Sequence, residues 1–118
     1  MNLNEMSQEA YYNSRNHGFW GSHKQGEKLS IETIGLKLAL IHSEVSEALE
    51  EARKNNLNSR TFHKLDGSEK PIGFPSELAD ILIRVGDLAY AMGINLDYEV
   101  KMKMAYNEGR PSMHGKLA

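Results

Sequence analysis

Two pairs of carboxylate residues, each with its members three positions apart, are the residues of this chain best suited to chemistry. Glu44 and Glu47 form the first pair, and Glu77 and Asp80 form the second. Residues three apart are neighbours on one face of an α-helix. If two helices that carry these pairs pack antiparallel, four carboxylates meet across one groove, where their repulsion favours protonation or a bound cation. Carboxylate oxygens without histidine or cysteine are hard ligands, so Mg²⁺ is the expected ion and Mn²⁺ the alternative.

The residues around the second pair favour a groove over an exposed face. Within residues 76–92, SELADILIRVGDLAYAM, the strongly polar side chains share one helical arc about 80° wide: Glu77, Asp80, Arg84 and Asp87. A surface helix normally leaves about half of its circumference polar. Because this helix is apolar elsewhere, we expect it to be packed on several sides, with the charged arc lining an internal groove. The alternative is a non-catalytic helical interaction module whose acidic face binds a basic partner.

Three polar residues near the end of the chain are spaced to share a helical face. Lys103, Asn107 and Arg110 follow one another at i, i+4 and i+7. A basic row opposite an acidic metal site would suit a polyphosphate, whose charge needs ammonium or guanidinium partners as well as a cation. The alternative is a charged last turn that complements the helix dipole.

Aromatic and histidine residues add one candidate and exclude one class of site. Trp20, in the loop HGFW at 17–20, is a candidate stacking surface for a nucleotide base, and packing in the core is its alternative. His42 precedes Glu44 by two residues, about 200° around a helix, so it cannot share the metal face. Neither acidic pair is followed by histidine at the Glu-x-x-His spacing of di-iron bundles, and we therefore discount that class.

Hydrophobic periodicity and boundary residues predict four helices, over about 4–16, 31–55, 76–92 and 95–108. Ser30, Ser76 and Asn95 are the expected N-caps, and Gly93 is expected to end the third helix. The long connection at 55–75 includes a predicted hairpin at Asp66-Gly67. The second helix has an apolar stripe that we expect to be buried: Ile34, Leu38, Ile41, Val45, Leu49 and Ala52. This pattern predicts an all-α four-helix bundle.

Length and composition limit the class of protein. A chain of 118 residues favours a single domain, 1–118, and the net charge of −2 lacks the basic excess typical of proteins that bind nucleic-acid polymers or membrane surfaces. Cysteine is absent, which excludes disulfides and thiolate metal sites. No apolar run reaches the ~18 residues of a membrane span, and the first residues lack signal-peptide features. We therefore expect a cytoplasmic location.

Residues 34–116 resemble the MazG-like branch of the all-α nucleoside triphosphate pyrophosphohydrolases. The similarity lies in three segments: SEVSEALEEAR, SELADILIRVGDLAYAMGINLDYEV and KMKMAYNEGRPSMHGK. The interval of about 30 residues between the two acidic pairs is similar to that of the dCTP-pyrophosphatase side of the family. The first 30 residues carry little of the resemblance.

The resemblance implies a fold, a reaction and a site. The reaction is Mg²⁺-dependent cleavage between the α and β phosphates of a nucleoside or deoxynucleoside triphosphate, which gives the monophosphate and pyrophosphate in nucleotide-pool house-cleaning. The family pattern assigns the metal and the catalysis to Glu44, Glu47, Glu77 and Asp80, and the phosphates to Lys103, Asn107 and Arg110. The implied assembly is a homodimer or homotetramer of helical bundles, in which a neighbouring chain often completes the site.

Two positions depart from the family pattern. Many relatives have two adjacent glutamates at the start of the acidic motif, whereas this chain has Ser43 before Glu44. Either one of the four carboxylates also takes the proton of the attacking water, or the metal alone activates that water. Some relatives have an aromatic residue that contacts the nucleotide at position 84. Here Arg84 is a candidate for contacting a phosphate or for pairing with Asp80 or Asp87.

Overall fold

The structure, a computed structural model, describes residues 1–54, 62–63 and 66–110. Four helices account for most of them: α1 (Leu3–Asn16), α2 (Ile31–Arg53), α3 (Phe74–Ala91) and α4 (Leu96–Glu108). Two short strands, β1 (Phe62–His63) and β2 (Pro71–Ile72), pair antiparallel with Phe62 opposite Ile72. The prediction of an all-α chain with a small hairpin is thus confirmed. Residue 55 of the expected second helix and residues 111–116 of the family resemblance lie outside the described residues.

Short polar side chains determine where three helices begin. Asn2, Ser30 and Asn95 each accept a hydrogen bond from a backbone N–H three residues further on, and the last two confirm the sequence prediction. Ser76 is not a cap, because α3 already begins at Phe74, after Gly73. Pro75 lies in the first turn of α3, where its missing N–H costs no intrahelical hydrogen bond.

Helix α3 is the centre of the fold, because α1 and α2 both pack against it. The absence of a side chain at Gly86 allows α1 to approach closely. A Cβ atom at this position would lie 2.8 Å from the Met6 Sδ and 3.1 Å from the Ser7 Oγ. Tyr11, Trp20 and Ala91 form a buried hydrophobic core between α1, the following loop and the end of α3. The fold therefore holds α1, and the loop that follows it, against the charged arc of α3.

Helix α4 packs against the N-terminal end of α1. Its Asp97 carboxylate accepts hydrogen bonds from the backbone N–H groups of Leu3, at 3.1 Å, and Asn4, at 3.3 Å. A carboxylate at a helix N-terminus satisfies free N–H groups and interacts favourably with the helix dipole. Further along α4 the apolar side chains are exposed, among them Met104 and Tyr106.

The expected buried stripe of α2 is wrong for the single chain. Leu38, Val45 and Leu49 are about half exposed, and the buried residues of α2 are Glu44 and Ala48. Position 45 lies about 100° around the helix from position 44, so the face that contacts α3 carries the carboxylate and the apolar stripe turns away from it. Ile34, Ile41 and Ala52 of the stripe are partly buried, so the described part of the chain covers this apolar face only in part.

Candidate metal centre

Helices α2 and α3 bring three of the four predicted carboxylates together. Glu44 of α2 and the pair Glu77 and Asp80 of α3 each present one carboxylate oxygen, and these atoms all lie within 4.8 Å of one another. We call these three residues the carboxylate cluster. The two acidic motifs therefore face each other across a shared groove.

The fourth carboxylate, Glu47, lies at the edge of the carboxylate cluster. Burial is the main cause of the raised pKa of Glu77, and the charge of the neighbouring Glu47 is the next largest. Glu47 and Glu77 also line a cleft of about 280 Å³ on this side of the groove. All four predicted metal ligands thus form one connected group.

Two carboxylate oxygens of this group are buried without a hydrogen-bond partner among the described residues. They are Oε2 of Glu44 and Oε2 of Glu77. Only 7% of Glu44 is exposed, and leaving a buried charged oxygen unsatisfied is costly. A cation that prefers several hard oxygen ligands would satisfy both atoms, and Mg²⁺ and Mn²⁺ have this preference. The donor set therefore fits a divalent metal ion.

Burial and neighbouring negative charges raise the pKa values of two members of the carboxylate cluster, Glu77 and Asp80. Burial is the main cause for Glu77, followed by the charges of Glu47 and Asp80. Burial also raises the pKa of Asp80, and the Glu44 charge adds to that effect. The positive charges of Arg84 and Lys70 lower the Asp80 pKa, but they do not cancel the increase. In the metal-free chain Glu77 and Asp80 thus favour protons more than ordinary carboxyl groups do.

This protonation preference gives a prediction for stability. Because the pKa values of Glu77 and Asp80 are raised, the folded chain binds more protons than the unfolded chain between these values and the ordinary carboxyl value of about 4. The free energy of unfolding contributed by these groups therefore rises as the pH falls through that range. We expect the melting temperature of the metal-free chain to increase as the pH is lowered from neutrality through the raised pKa values of Glu77 and Asp80.

Asp80→Asn should reduce this gain in melting temperature. Asp66→Asn, in the exposed hairpin turn, should not reduce it, because hydrogen bonds from Ser68 lower the Asp66 pKa. Excess magnesium should abolish the gain, since a bound cation favours the ionised carboxylates. A metal-free melting temperature that is highest near neutral pH in both the parent chain and Asp80→Asn would contradict the prediction.

Among the described residues, Arg84 is the cation that forms an ion pair with the carboxylate cluster. Its Nε donates a hydrogen bond to Oε1 of Glu44 at 2.7 Å, and 42% of its side chain is exposed. The sequence analysis gave Asp80 and Asp87 as candidate ion-pair partners of Arg84. The structure instead pairs Arg84 with Glu44. Charge-assisted hydrogen bonds of this length are among the stronger polar contacts in proteins.

A cavity of about 500 Å³ opens beside the carboxylate cluster, between α1, α2 and α3. Four charged residues of the groove line it: Glu44, Asp80, Arg84 and Asp87. The charged arc of α3 therefore lines a groove, as its narrow width predicted. The expectation that α3 is packed on several sides is wrong for the single chain, because Leu82 and Ile83 are about half exposed. Asn13 and Ser14 of α1 and Phe19 of the following loop line the other side. The volume falls within the ordinary range of small-molecule sites.

Trp20 lies behind this cavity, in the core. It is 7% exposed, and its Nε1 donates a hydrogen bond to Oδ1 of Asp87 at 2.7 Å. The ammonium of Lys37 lies 4.1 Å from the centroid of the Trp20 ring and donates to the carbonyl oxygen of Phe19 at 3.1 Å. The structure places Trp20 in the packing role that was its alternative. Phe19, which is 70% exposed, is the aromatic residue of this loop that lines the cavity.

The polar row of α4 is not brought to the carboxylate cluster within one chain. Helix α4 packs against α1, and it makes no comparable contact with α2 or α3 among the described residues. The row itself is intact around Tyr106: Lys103 Nζ lies 5.6 Å and Arg110 Cζ 5.8 Å from the centroid of this ring. The Oδ1 of Asn107 is buried and has no hydrogen-bond partner among the described residues.

Sequence reasoning missed the cavity residues of α1 and of the start of α2. Asn13, Ser14 and Lys37 line the cavity, and their types and spacing match no motif of a metal or phosphate site. They reach the cavity through the packing of α1 and α2 on α3. Phe19 could have been predicted as a cavity residue, because it belongs to the same HGFW segment as Trp20.

None of the helices described by the structure is long and apolar enough to cross a membrane. In comparisons with known proteins, no family model, no curated protein and no solved structure matches this chain.

Proposed function

We propose that this chain is a magnesium-dependent nucleotide pyrophosphohydrolase that cleaves the α–β phosphate bond of a nucleoside or deoxynucleoside triphosphate in nucleotide-pool house-cleaning. The proposal includes a four-helix bundle of the all-α nucleoside triphosphate pyrophosphatase type. The observation that carries it is the carboxylate cluster, whose buried Glu44 and Glu77 oxygens lack partners beside a cavity of about 500 Å³. The order and spacing of the acidic motifs support the choice of reaction.

The carboxylates would hold the metal. Glu44, Glu77 and Asp80 would bind it directly, and Glu47, which lies next to Glu77, would add a fourth carboxylate. A bound Mg²⁺ supplies polarisation of the phosphoryl group, orientation of a water and neutralisation of the pyrophosphate charge. The cavity would accept the rest of the nucleotide, with Phe19 as an exposed aromatic surface and Arg84 beside the metal site.

A second copy of the chain would complete the site. Within one chain the row Lys103, Asn107 and Arg110 lies apart from the carboxylate cluster, and the family resemblance assigns this row to the phosphates. Large apolar side chains are about half exposed on α2 and α3, including Leu49 and Leu82. Apolar area of this kind favours association between chains. We therefore propose a homodimer or homotetramer in which α4 of one copy approaches the groove of another.

A panel of nucleoside and deoxynucleoside triphosphates, incubated with the chain and magnesium, tests the proposed function. We expect pyrophosphate release from at least one member and loss of that release in excess chelator. We also expect magnesium to raise the melting temperature, because an ion that binds only the folded chain stabilises it. Orthophosphate as the sole product would mean that a different bond is cut. Inactivity with a melting temperature unaffected by millimolar magnesium would favour the interaction module.

A further inference from the structure

The guanidinium of Arg84 is a cation of the chain itself that contacts the proposed metal site. It lies one helical turn after Asp80 on α3 and reaches across the groove to Glu44. The contact uses only Oε1 of Glu44, while Oε2 is the oxygen that is buried without a partner. A divalent cation bound through Oε2 would therefore leave the Arg84 contact in place. The two positive charges would then share one carboxylate.

We infer that Arg84 is a tethered counter-ion of the carboxylate cluster, which stabilises the cluster when no metal is bound and weakens the binding of a divalent cation. The inference rests on the metal site of the proposed function and adds a determinant of metal affinity.

The charge balance of the groove supports this role. The carboxylate cluster carries three acidic groups in close contact, and Arg84 compensates part of their repulsion in the metal-free chain. Its charge also acts on Asp80, whose pKa it lowers. When a divalent cation binds, the same guanidinium repels it. Arg84 and the metal are thus alternative sources of positive charge for one set of carboxylates. If Arg84 weakens the binding of the metal, a bound metal weakens the contact between Arg84 and Glu44 to the same extent.

The test is the affinity for magnesium, and separately for manganese, measured by calorimetry on the full chain and on two variants of Arg84. Arg84→Gln keeps a hydrogen-bond donor and removes the charge, and we expect it to bind the cation about five- to tenfold more tightly. Its melting temperature without metal should fall, and the deficit should shrink as magnesium is added. Arg84→Lys keeps the charge and should bind within about twofold of the parent chain.

Arg53→Gln is the matched control. Arg53 pairs with Glu50 at 3.4 Å on the exposed end of α2, so the same chemical change there should leave the cation affinity unchanged. An Arg84→Gln chain that is unfolded without metal and refolds with magnesium would also support the inference. One that stays unfolded at saturating magnesium would overturn it.

Weaker or unchanged cation binding by Arg84→Gln would overturn the inference as well, because Arg84 would then only orient Glu44 or have no influence on the site. These results leave the proposed function standing. If the parent chain binds neither cation, both fail. If the affinities change as expected but no nucleotide is cleaved, only the proposed function fails.

Discussion

Glu77→Gln should lower the rate of pyrophosphate release at least about a hundredfold. Glu77 links Glu47 to the carboxylate cluster, because it belongs to the cluster and the charge of Glu47 acts on it. Glutamine preserves the shape of the side chain and removes one negative charge from the proposed ligand set. Steady-state kinetics at saturating magnesium measures the loss. Glu47→Gln should also lose activity, since it removes a ligand charge at the edge of the cluster.

Although Glu77→Gln lowers the activity, it should not lower the stability of the metal-free chain. Burial and neighbouring charges raise the pKa of Glu77, so its ionised form destabilises the folded metal-free chain at neutral pH. Glu77→Gln should therefore melt at the same or a higher temperature than the parent chain without metal, and gain less from magnesium. Glu50→Gln, at the exposed end of α2, is the matched control and should keep both properties. Turnover by well-folded Glu77→Gln at the parent rate would contradict the assignment.

Two inactive variants should restore activity when their chains are mixed. Lys103→Met removes an ammonium that the family resemblance assigns to the phosphates, and Glu77→Gln removes a carboxylate of the cluster. If α4 of one copy completes the groove of another, a mixed dimer holds one site with both groups intact. Random association makes about half of the dimers mixed, so co-refolded chains should recover about a quarter of the parent activity.

The control for this mixing experiment is a chain that carries both substitutions. Mixed with the parent chain, it forms dimers in which each of the two sites lacks one group, so mixed dimers should be inactive. If equal amounts of the two single variants stay inactive after co-refolding, while capture through an affinity tag on one variant recovers the other, then Lys103 and the carboxylate cluster of one site come from the same chain. Monomeric chains that are fully active would exclude a shared site altogether.

Local chemistry is the part of this structure that could be predicted from sequence. Ser30 and Asn95 cap helices because their side chains accept hydrogen bonds from N–H groups three residues on. The charged arc of α3 lines a cavity, as its narrow width predicted, although Leu82 and Ile83 on the rest of that helix are about half exposed. The facing of Glu44 towards Glu77 and Asp80 also followed from spacing, once two helices were assumed to pack side by side.

Relations between distant elements could not be obtained in this way. The periodicity of Val45 and Leu49 is the same whether a stripe is covered by its own chain or by another one, and here its own chain leaves it about half exposed. Likewise, the spacing of Lys103 and Arg110 fixes a shared face but not the helix that this face meets. The pairing of Arg84 with Glu44 depends on the depth of the groove, which no local pattern encodes.

The position of Trp20 gives this chain a built-in optical probe. It is the one tryptophan of the sequence, and its indole is in contact with two charged groups at the rim of the cavity, the Asp87 carboxylate and the Lys37 ammonium. Indole emission responds to nearby charges, so a ligand that enters the cavity and displaces either group alters the fluorescence. Occupancy of the cavity can therefore be followed in unlabelled protein, before any bond is cleaved.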